Sequence, residues 1–389
     1  MTVVRWCLAA LLFSTVAVCL AITIVPRFLD RVYYRGPTSG HFDGQRFFNP
    51  GSDDTVAPPT GGSRGGFLWR YLTNRDKRPD WPRHVAVTPG KPPARVEGEA
   101  MQVTWIGHAS VLIQTQGLNI LTDPVWSEHA GPFGLGPKRV TEPGVRFADL
   151  PRIDLVLVSH NHYDHMDLTT LKRLWARDKP LVVTSLGNDS LIGGAGVPAR
   201  ALDWGGRVTV KPGVDVVATR SHHWSSRWFT DRNRALWSGF AVTTPGGNLF
   251  YSGDTGAGDL GWVDEARALG PIRLALLPIG AFRFVPGQMA IGSHIGPVDA
   301  VEIFQRLGAA RAIPVHWGTF RLSYEAYDTP PKLLDAAMRC AGLDRARFAP
   351  VAIGAQVSVP AYAPPPAVPA VDRGALLRCL DTPAVRALE

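Results

Sequence analysis

From residue 101 onward the chain breaks into short apolar runs separated by turn residues. Residues 101–105, 110–114 and 118–122 read as three short strands joined by tight turns. A long Gly/Pro-containing loop over 126–147 leads to the apolar run Leu155, Val156, Leu157, Val158, which has the character of a buried strand. Leu168, Leu171 and Leu174 then recur at helical spacing, predicting a helix near 167–177. Further strands are predicted near 181–184, 207–210, 214–219, 239–244, 247–251, 273–278 and 311–315, with helices near 259–269 and 297–308. Strands interrupted by amphipathic helices fit two sheets sandwiched between helix layers. The span 101–345 has the length of one large domain.

The flanks read differently. Residues 6–25 form an uncharged, mostly apolar run, preceded by Arg5 and followed by Pro26 and Arg27. Twenty residues at 1.5 Å each suffice to cross a hydrocarbon layer of ~30 Å. Residues 1–27 are therefore expected to be a transmembrane anchor or a signal segment, with the anchor favoured because no small-x-small cleavage site follows. Residues 28–100 form an N-terminal extension, in which 51–66, rich in Gly, Ser, Thr and Pro, reads as a loop or linker. Residues 346–389 comprise a Pro/Ala-rich tail and one short helix over 373–388. One arginine before the apolar run against Arg27, Arg31 and Arg35 after it biases the catalytic domain towards the cytoplasmic side.

The chain carries a formal net charge of +8, spread over scattered basic residues rather than blocks. That balance suits anionic lipid headgroups. No nucleic-acid module is recognisable, so nucleic acid is not expected as a partner. Cys7 and Cys19 fall in the apolar run, while Cys340 and Cys379 stand isolated near the end. No disulfide framework is indicated, and a single Cys340–Cys379 bridge stays open.

The chain has 11 histidines in 389 residues, yet three fall within 160–165, in the run His160, Asn161, His162, Tyr163, Asp164, His165 directly after the buried strand. Such a cluster is costly to bury unless a metal coordinates it. His160 and His162, two apart in extended chain, point to the same side and can share one ion. Asp164 and His165 become available to a second ion if the chain turns into the helix. His222 and His223, Asp254 and His316 each follow a predicted strand, the usual position of a site in layered α/β folds. One ion is thus assigned to His160, His162 and either His222 or His223, the other to Asp164, His165 and His316, with Asp254 bridging. Spacing leaves the choice between His222 and His223 open. His108 and Asp123 are candidates to orient the ligands, and Lys138 with Arg139 to meet phosphate charge.

The run HNHYDH, with the upstream WIGHASVLI and LTDP segments and the later HHW, SGDTG, PIG and HWGTF, resembles the metallo-β-lactamase superfamily. With HFDG, GPKRV and PIGAF it resembles more narrowly the N-acylphosphatidylethanolamine-hydrolysing phospholipase D branch, from about Phe42 to about Thr329. The resemblance implies a four-layer αββα metallo-β-lactamase-like sandwich preceded here by an N-terminal hydrophobic segment. It implies metal roles for His160, His162, Asp164, His165, His223, Asp254 and His316, and favours His223 because the branch's ligand immediately precedes a tryptophan. His294 falls where a family histidine lines the site, which makes it a candidate general acid or phosphate contact. The branch's mammalian enzyme lacks an apolar opening, and residues 278–297 keep only parts of the branch's substrate-side sequence.

The expected cofactors are two divalent ions, zinc suiting this mixed donor set best. They would hold a hydroxide that attacks phosphorus, with Asp254 and Asp164 holding the ions and His294 near the leaving group. A phospholipid substrate and a membrane are the partners implied. Trp126, Phe133, Trp224, Trp228, Phe229, Phe282, Phe284 and Trp317 lie near the candidate ligands and would line an acyl-chain groove or the mouth of the site. The alternatives are a hydrolase of another class, a lactonase or a soluble-substrate phosphodiesterase, and a non-enzymatic membrane factor with the same fold.

Overall fold

The computed structural model describes residues 2–29, 31–51, 62–228, 230–289 and 291–388. Seven strands form the first sheet: β1 (Met101–Gly107), β2 (Ser110–Thr115), β3 (Leu118–Thr122), β4 (Leu155–Val158), β5 (Leu181–Ser185), β6 (Arg200–Leu202) and β13 (Gln356–Val359), in the order β13-β1-β2-β3-β4-β5-β6. The second sheet holds β7 (Arg207–Lys211), β8 (Val214–Thr219), β9 (Gly239–Thr243), β10 (Asn248–Tyr251), β11 (Ile272–Pro278) and β12 (Arg311–Val315), in the order β12-β11-β10-β9-β8-β7. The helices are α1 (Thr2–Leu29), α2 (Arg64–Leu72), α3 (Leu168–Asp178), α4 (Asn188–Gly194), α5 (Gly261–Ala268), α6 (Pro297–Leu307), α7 (Thr329–Cys340), α8 (Arg373–Leu380) and α9 (Pro383–Arg386).

Side-chain alternation along the central strands explains the layering. Leu155 and Leu157 of β4 enter the core between the sheets, with Val216 of β8 and Leu274 and Leu276 of β11. Val156 and Val158 turn the other way, onto Leu171 and Leu174 of α3 and Ile192 of α4. On the far side, Ala275 and Leu277 of β11 meet Val301 and Phe304 of α6 and Leu334 of α7. The result is the αββα sandwich expected from the sequence.

Strand direction sets where the chemistry gathers. β3 to β6 run parallel in one sheet and β10 to β12 in the other. β1 is antiparallel to β2, and β2 to β3, so β1 points the same way as β3; β8 is likewise aligned with β10 through β9. The carboxyl ends of β1, β3 and β4 therefore share one end of their sheet, as those of β8, β10 and β12 do in the other.

The expected division at residue 345 does not hold. β13 lies in the tail yet pairs antiparallel with β1, from Met101↔Val359 to Thr104↔Gln356, because β1 would otherwise present a bare edge. Cys379 in α8 is disulfide-bonded to Cys340 at the end of α7. The expected loop over 51–66 is also corrected at its end: α2 begins at Arg64, with Ser63 capping it by accepting from the Gly66 amide. Two glycines in its first turn hid this helix from the sequence. Residues 52–61 lie outside the described residues.

Deleting residues 350–389 removes β13 and half of the disulfide. The truncated protein is expected to lose at least ~2 kcal/mol of stability, or to leave the soluble fraction altogether. An unchanged denaturant midpoint would show that the tail does not complete the fold.

Candidate metal centre

Each donor arrives from the carboxyl end of a strand or just beyond it. His108 follows β1, Asp123 follows β3, the 160–165 run follows β4, His223 follows β8, Asp254 follows β10 and His316 follows β12. His108, Asp123 and His316 have positive φ, at 52°, 29° and 64°, a costly conformation for residues with a Cβ. Gly253, with φ of 61°, is required by space as well: a Cβ there would stand 2.8 Å from the Ser159 Cβ. The absence of that carbon lets the end of β10 approach the end of β4, which carries Asp254 to the histidine run.

Four overlapping groups of donors result, two of them with four members. The first comprises His160, His162, His223 and Asp254. His160 Nε2 lies 2.8 Å and His223 Nε2 3.4 Å from His162 Nδ1. Burial drives the His160 pKa well below its ordinary value and those of His162 and His223 to about 3, so these imidazoles are neutral and offer lone pairs. Lone pairs directed at one another in a buried space call for a cation between them.

The second group comprises His108, Asp164, His165 and His316. Asp164 Oδ2 is 3.1 Å from His108 Nε2, 3.6 Å from His165 Nε2 and 3.5 Å from His316 Nε2. Asp254 reaches this group too, its Oδ2 standing 3.1 Å from both His165 Nε2 and His316 Nε2 and 3.9 Å from His223 Nε2. Burial opposes ionisation throughout. The neighbouring imidazoles nevertheless hold Asp164 and Asp254 well below the usual carboxylate range, and the two carboxylates raise His165 well above its ordinary value and His316 to about 9.

The residues fit a pair of divalent ions. His165 Nε2, His316 Nε2 and Asp254 Oδ2 are buried and complete no well-formed hydrogen bond. Buried polar atoms are rarely left so. The opposite edges of the rings are anchored, as ligand imidazoles are. His160 Nδ1 meets Ser159 Oγ at 2.9 Å, His223 Nδ1 donates to the Ser293 carbonyl at 2.9 Å, and His165 Nδ1 donates to Asp123 Oδ2 at 2.6 Å. Asp123 also accepts from the Ser159 amide and hydroxyl and from the Tyr251 hydroxyl.

The structure decides what spacing left open. His223 joins the first group, while the His222 ring lies beside Gly258 and its backbone bridges to Gly256. Asn49, from the N-terminal extension, donates to the His223 carbonyl at 2.9 Å, so the extension helps to hold this ligand. His294 is buried beside Asp254, its unbonded Nδ1 3.8 Å from Asp254 Oδ2. Lys138 pairs with Glu128 on the surface instead of facing the centre, and Arg139 is buried beneath Phe320. Ser159, Tyr251 and the carbonyl of Ser293 were missed as supports; only Ser159, adjoining the histidine run, carried a positional signal.

The aromatic groove is only partly realised. Trp224 packs against His162 and Phe284 against His294, with ring centroids 4.3 and 5.5 Å apart. Phe133 and Trp228 meet each other at 6.0 Å. Trp317 stacks on Trp105 in the core, Trp126 lies on Phe147, and Phe282 sits against Gly296. Phe229 lies outside the described residues.

Residues 118–317 match the family described as the beta-lactamase superfamily domain. The chain belongs to the metallo-β-lactamase superfamily. An uncharacterized protein of Mycobacterium tuberculosis is 35% identical over 269 residues, covering 66% of this chain and 70% of that one. The N-acyl-phosphatidylethanolamine-hydrolyzing phospholipase D 1 of Caenorhabditis elegans is 35% identical over 240 residues, 59% of this chain and 67% of its own. The mitochondrial N-acyl-phosphatidylethanolamine-hydrolyzing phospholipase D of Saccharomyces cerevisiae is 35% identical over 253 residues, 64% of this chain and 54% of its own. Among solved structures, an isothiocyanate hydrolase from Delia radicum gut bacteria shares the fold, with a TM-score of 0.53 at 19% identity, covering 67% of this chain and 100% of that one. This metallo-β-lactamase superfamily member is a metal-dependent hydrolase.

Of the ligand imidazoles, Asp123 hydrogen-bonds directly only to His165, on the far side of its ring. Asp123→Asn should therefore weaken retention of the ion in the second group about 10- to 100-fold and leave the first group loaded. Chelator competition followed by metal analysis would read one retained ion per chain; two ions held as in the parent would refute the positioning role.

Proposed function

We propose that the chain is a zinc-dependent phosphodiesterase of the phospholipase D type. It hydrolyses N-acylphosphatidylethanolamine to an N-acylethanolamine and a phosphatidic acid. One observation carries this reading: all seven expected donors converge, in a chain 35% identical to two proteins named for that reaction. The complete donor set argues against a non-enzymatic role.

His160, His162 and His223 would hold one ion, Asp164, His165 and His316 the other, with Asp254 facing both. Bound there, zinc would polarise the phosphodiester and make water nucleophilic near neutral pH. The remaining work falls to the chain itself. Asp123 fixes the His165 ring and His108 fixes Asp164, so neither ligand must reorganise during the reaction. Trp224 and Phe284 wall the centre with apolar surface, excluding water and offering contact to acyl chains. Burial pushes the His294 pKa down to about 3, so its imidazole is neutral. That favours His294 as an N–H donor to a phosphoryl oxygen over a role as proton donor.

The partners proposed are a phospholipid and a membrane. α1 contains a 21-residue apolar stretch, Val4–Ile24, long enough to cross a bilayer, and none of it is buried against the protein. We read it as an anchor. The Cys340–Cys379 disulfide supports an oxidising compartment for the domain, against the cytoplasmic side that the flanking arginines suggested, since cytosolic thiols are kept reduced.

Metal-loaded protein with N-acylphosphatidylethanolamine in mixed micelles should yield both products by mass spectrometry, whereas Asp254→Asn should yield neither. His294→Ala should lower kcat/KM about 10- to 100-fold, the worth of one hydrogen bond to a charged group. Two bound metals without phospholipid cleavage would move the substrate to another ester class. Sidedness has its own readout: alkylation of the protein taken from cells should modify Cys7 and Cys19 alone until a reductant is added. Four reactive thiols beforehand would return the domain to the cytoplasm.

A further inference from the structure

Three features around the metal centre answer to one neighbour. The first is α2, which shows Leu68, Trp69 and Leu72 to solvent at 53%, 59% and 70% exposure. This helix is docked beside the site. Arg70 donates to the Pro286 carbonyl, Gly287 lies against Phe67, and the same loop carries Phe284 to the His294 ring. Arg75 and Lys77, directly after the helix, are exposed cations.

The second feature is a finger beyond β3. Its sides are tied by the Ala130 amide to the Pro137 carbonyl and by the Arg139 amide to the Glu128 carbonyl, both at 2.9 Å. Phe133 and Leu135 at its tip are 85% and 65% exposed. Its root pairs with Phe320, whose ring is 5.2 Å from that of His108. The finger leaves from the carboxyl end of β3, and the loop on which α2 is docked leaves from the carboxyl end of β11, the end that holds the donors.

The third feature is the exit of α1. Tyr33, four residues beyond the end of that helix, donates to Asp231 Oδ2 at 2.9 Å. Asp231 belongs to the loop of Trp228, the residue that Phe133 touches. The apolar stretch ends at Ile24, and the five helical and four further residues to Tyr33 span at most roughly 22 Å, so a bilayer holding α1 begins within that reach of this loop.

We propose that the face bearing the metal centre lies against a lipid bilayer, held by α1 and by the apolar tips of α2 and the 131–136 finger. Lipid then reaches the donors from the plane of the membrane and not by diffusion through water. Exposed aromatic and leucine side chains beside basic residues suit the headgroup boundary of an anionic membrane. The route for the substrate rests on the phospholipase reading, but the docking does not.

The test places a photoreactive benzoylphenylalanine at Leu72, at Phe133 or at Pro212, in the full chain reconstituted into nanodiscs of phosphatidylcholine and phosphatidylglycerol. Pro212 is the control, because it is exposed in the β7–β8 turn at the opposite end of the strands. Lipid adducts at Leu72 and Phe133 should exceed those at Pro212 about tenfold or more, as for residues inserted at the interface. Equal labelling at all three positions would overturn the proposal, and so would adducts at Leu72 and Phe133 formed with a second protein chain. Neither disc lipid need be hydrolysed, so the two readings fail separately. Adducts without N-acylphosphatidylethanolamine cleavage sink only the substrate assignment, and cleavage without adducts sinks only the docking.

Discussion

Bringing many imidazoles and carboxylates out of water into one small space is the constraint on which the rest of this structure depends. An isolated charge costs several kcal/mol to bury, and neutral nitrogens with converging lone pairs repel. Asp254 shows how the fold meets this cost. Its Oδ2 lies 3.1 Å from His165 and His316, and the same side chain closes the first group of donors with His160, His162 and His223. The first group is incomplete without it and the second is reached by it, and the geometry makes sense only with cations supplied.

The sandwich gives those donors a rigid frame. Two sheets pressed face to face bring six strand ends to a common edge, and helices on both outer faces keep those strands buried. Some of the backbone strain lies there, in the positive φ of His108, Asp123 and His316. These residues stay in unfavourable backbone conformations because the strands behind them do not move. The Asp123 carboxylate is held by Ser159 and Tyr251 before it holds His165. Positioning thus passes from core to support to ligand, and each step is fixed before a substrate arrives.

The segments outside the sandwich are not ornaments. Phe42 and Phe47 from the extension are buried with Leu236 and Trp237, which places Asn49 behind His223. The tail closes an edge through β13 and is locked by a disulfide. Apart from α1, Val32, Val368 and Leu377, the exposed large apolar side chains of the described residues belong to α2 and the finger. They gather around the metal centre, where an exposed patch has a use.

The sequence by itself determined the layered fold class and most strands, because alternation and apolar runs report directly which faces are buried. It also determined the donor types, because three histidines in six positions after a buried strand have few other uses. Spacing could not choose between His222 and His223, since adjacent side chains diverge; the resemblance favoured His223, and the tertiary structure places it among the donors. Tertiary structure alone decided that Asp123 supports His165, that Lys138 is occupied by Glu128, and that the tail belongs to the first sheet. Each of these depends on contacts between residues far apart in the chain, such as Met101 with Val359 or Asp123 with Tyr251, and local periodicity carries no information about distant partners. The helix at α2 was hidden for the opposite reason: its glycines weaken the local signal, and docking against the loop at Pro286 supplies what propensity lacks.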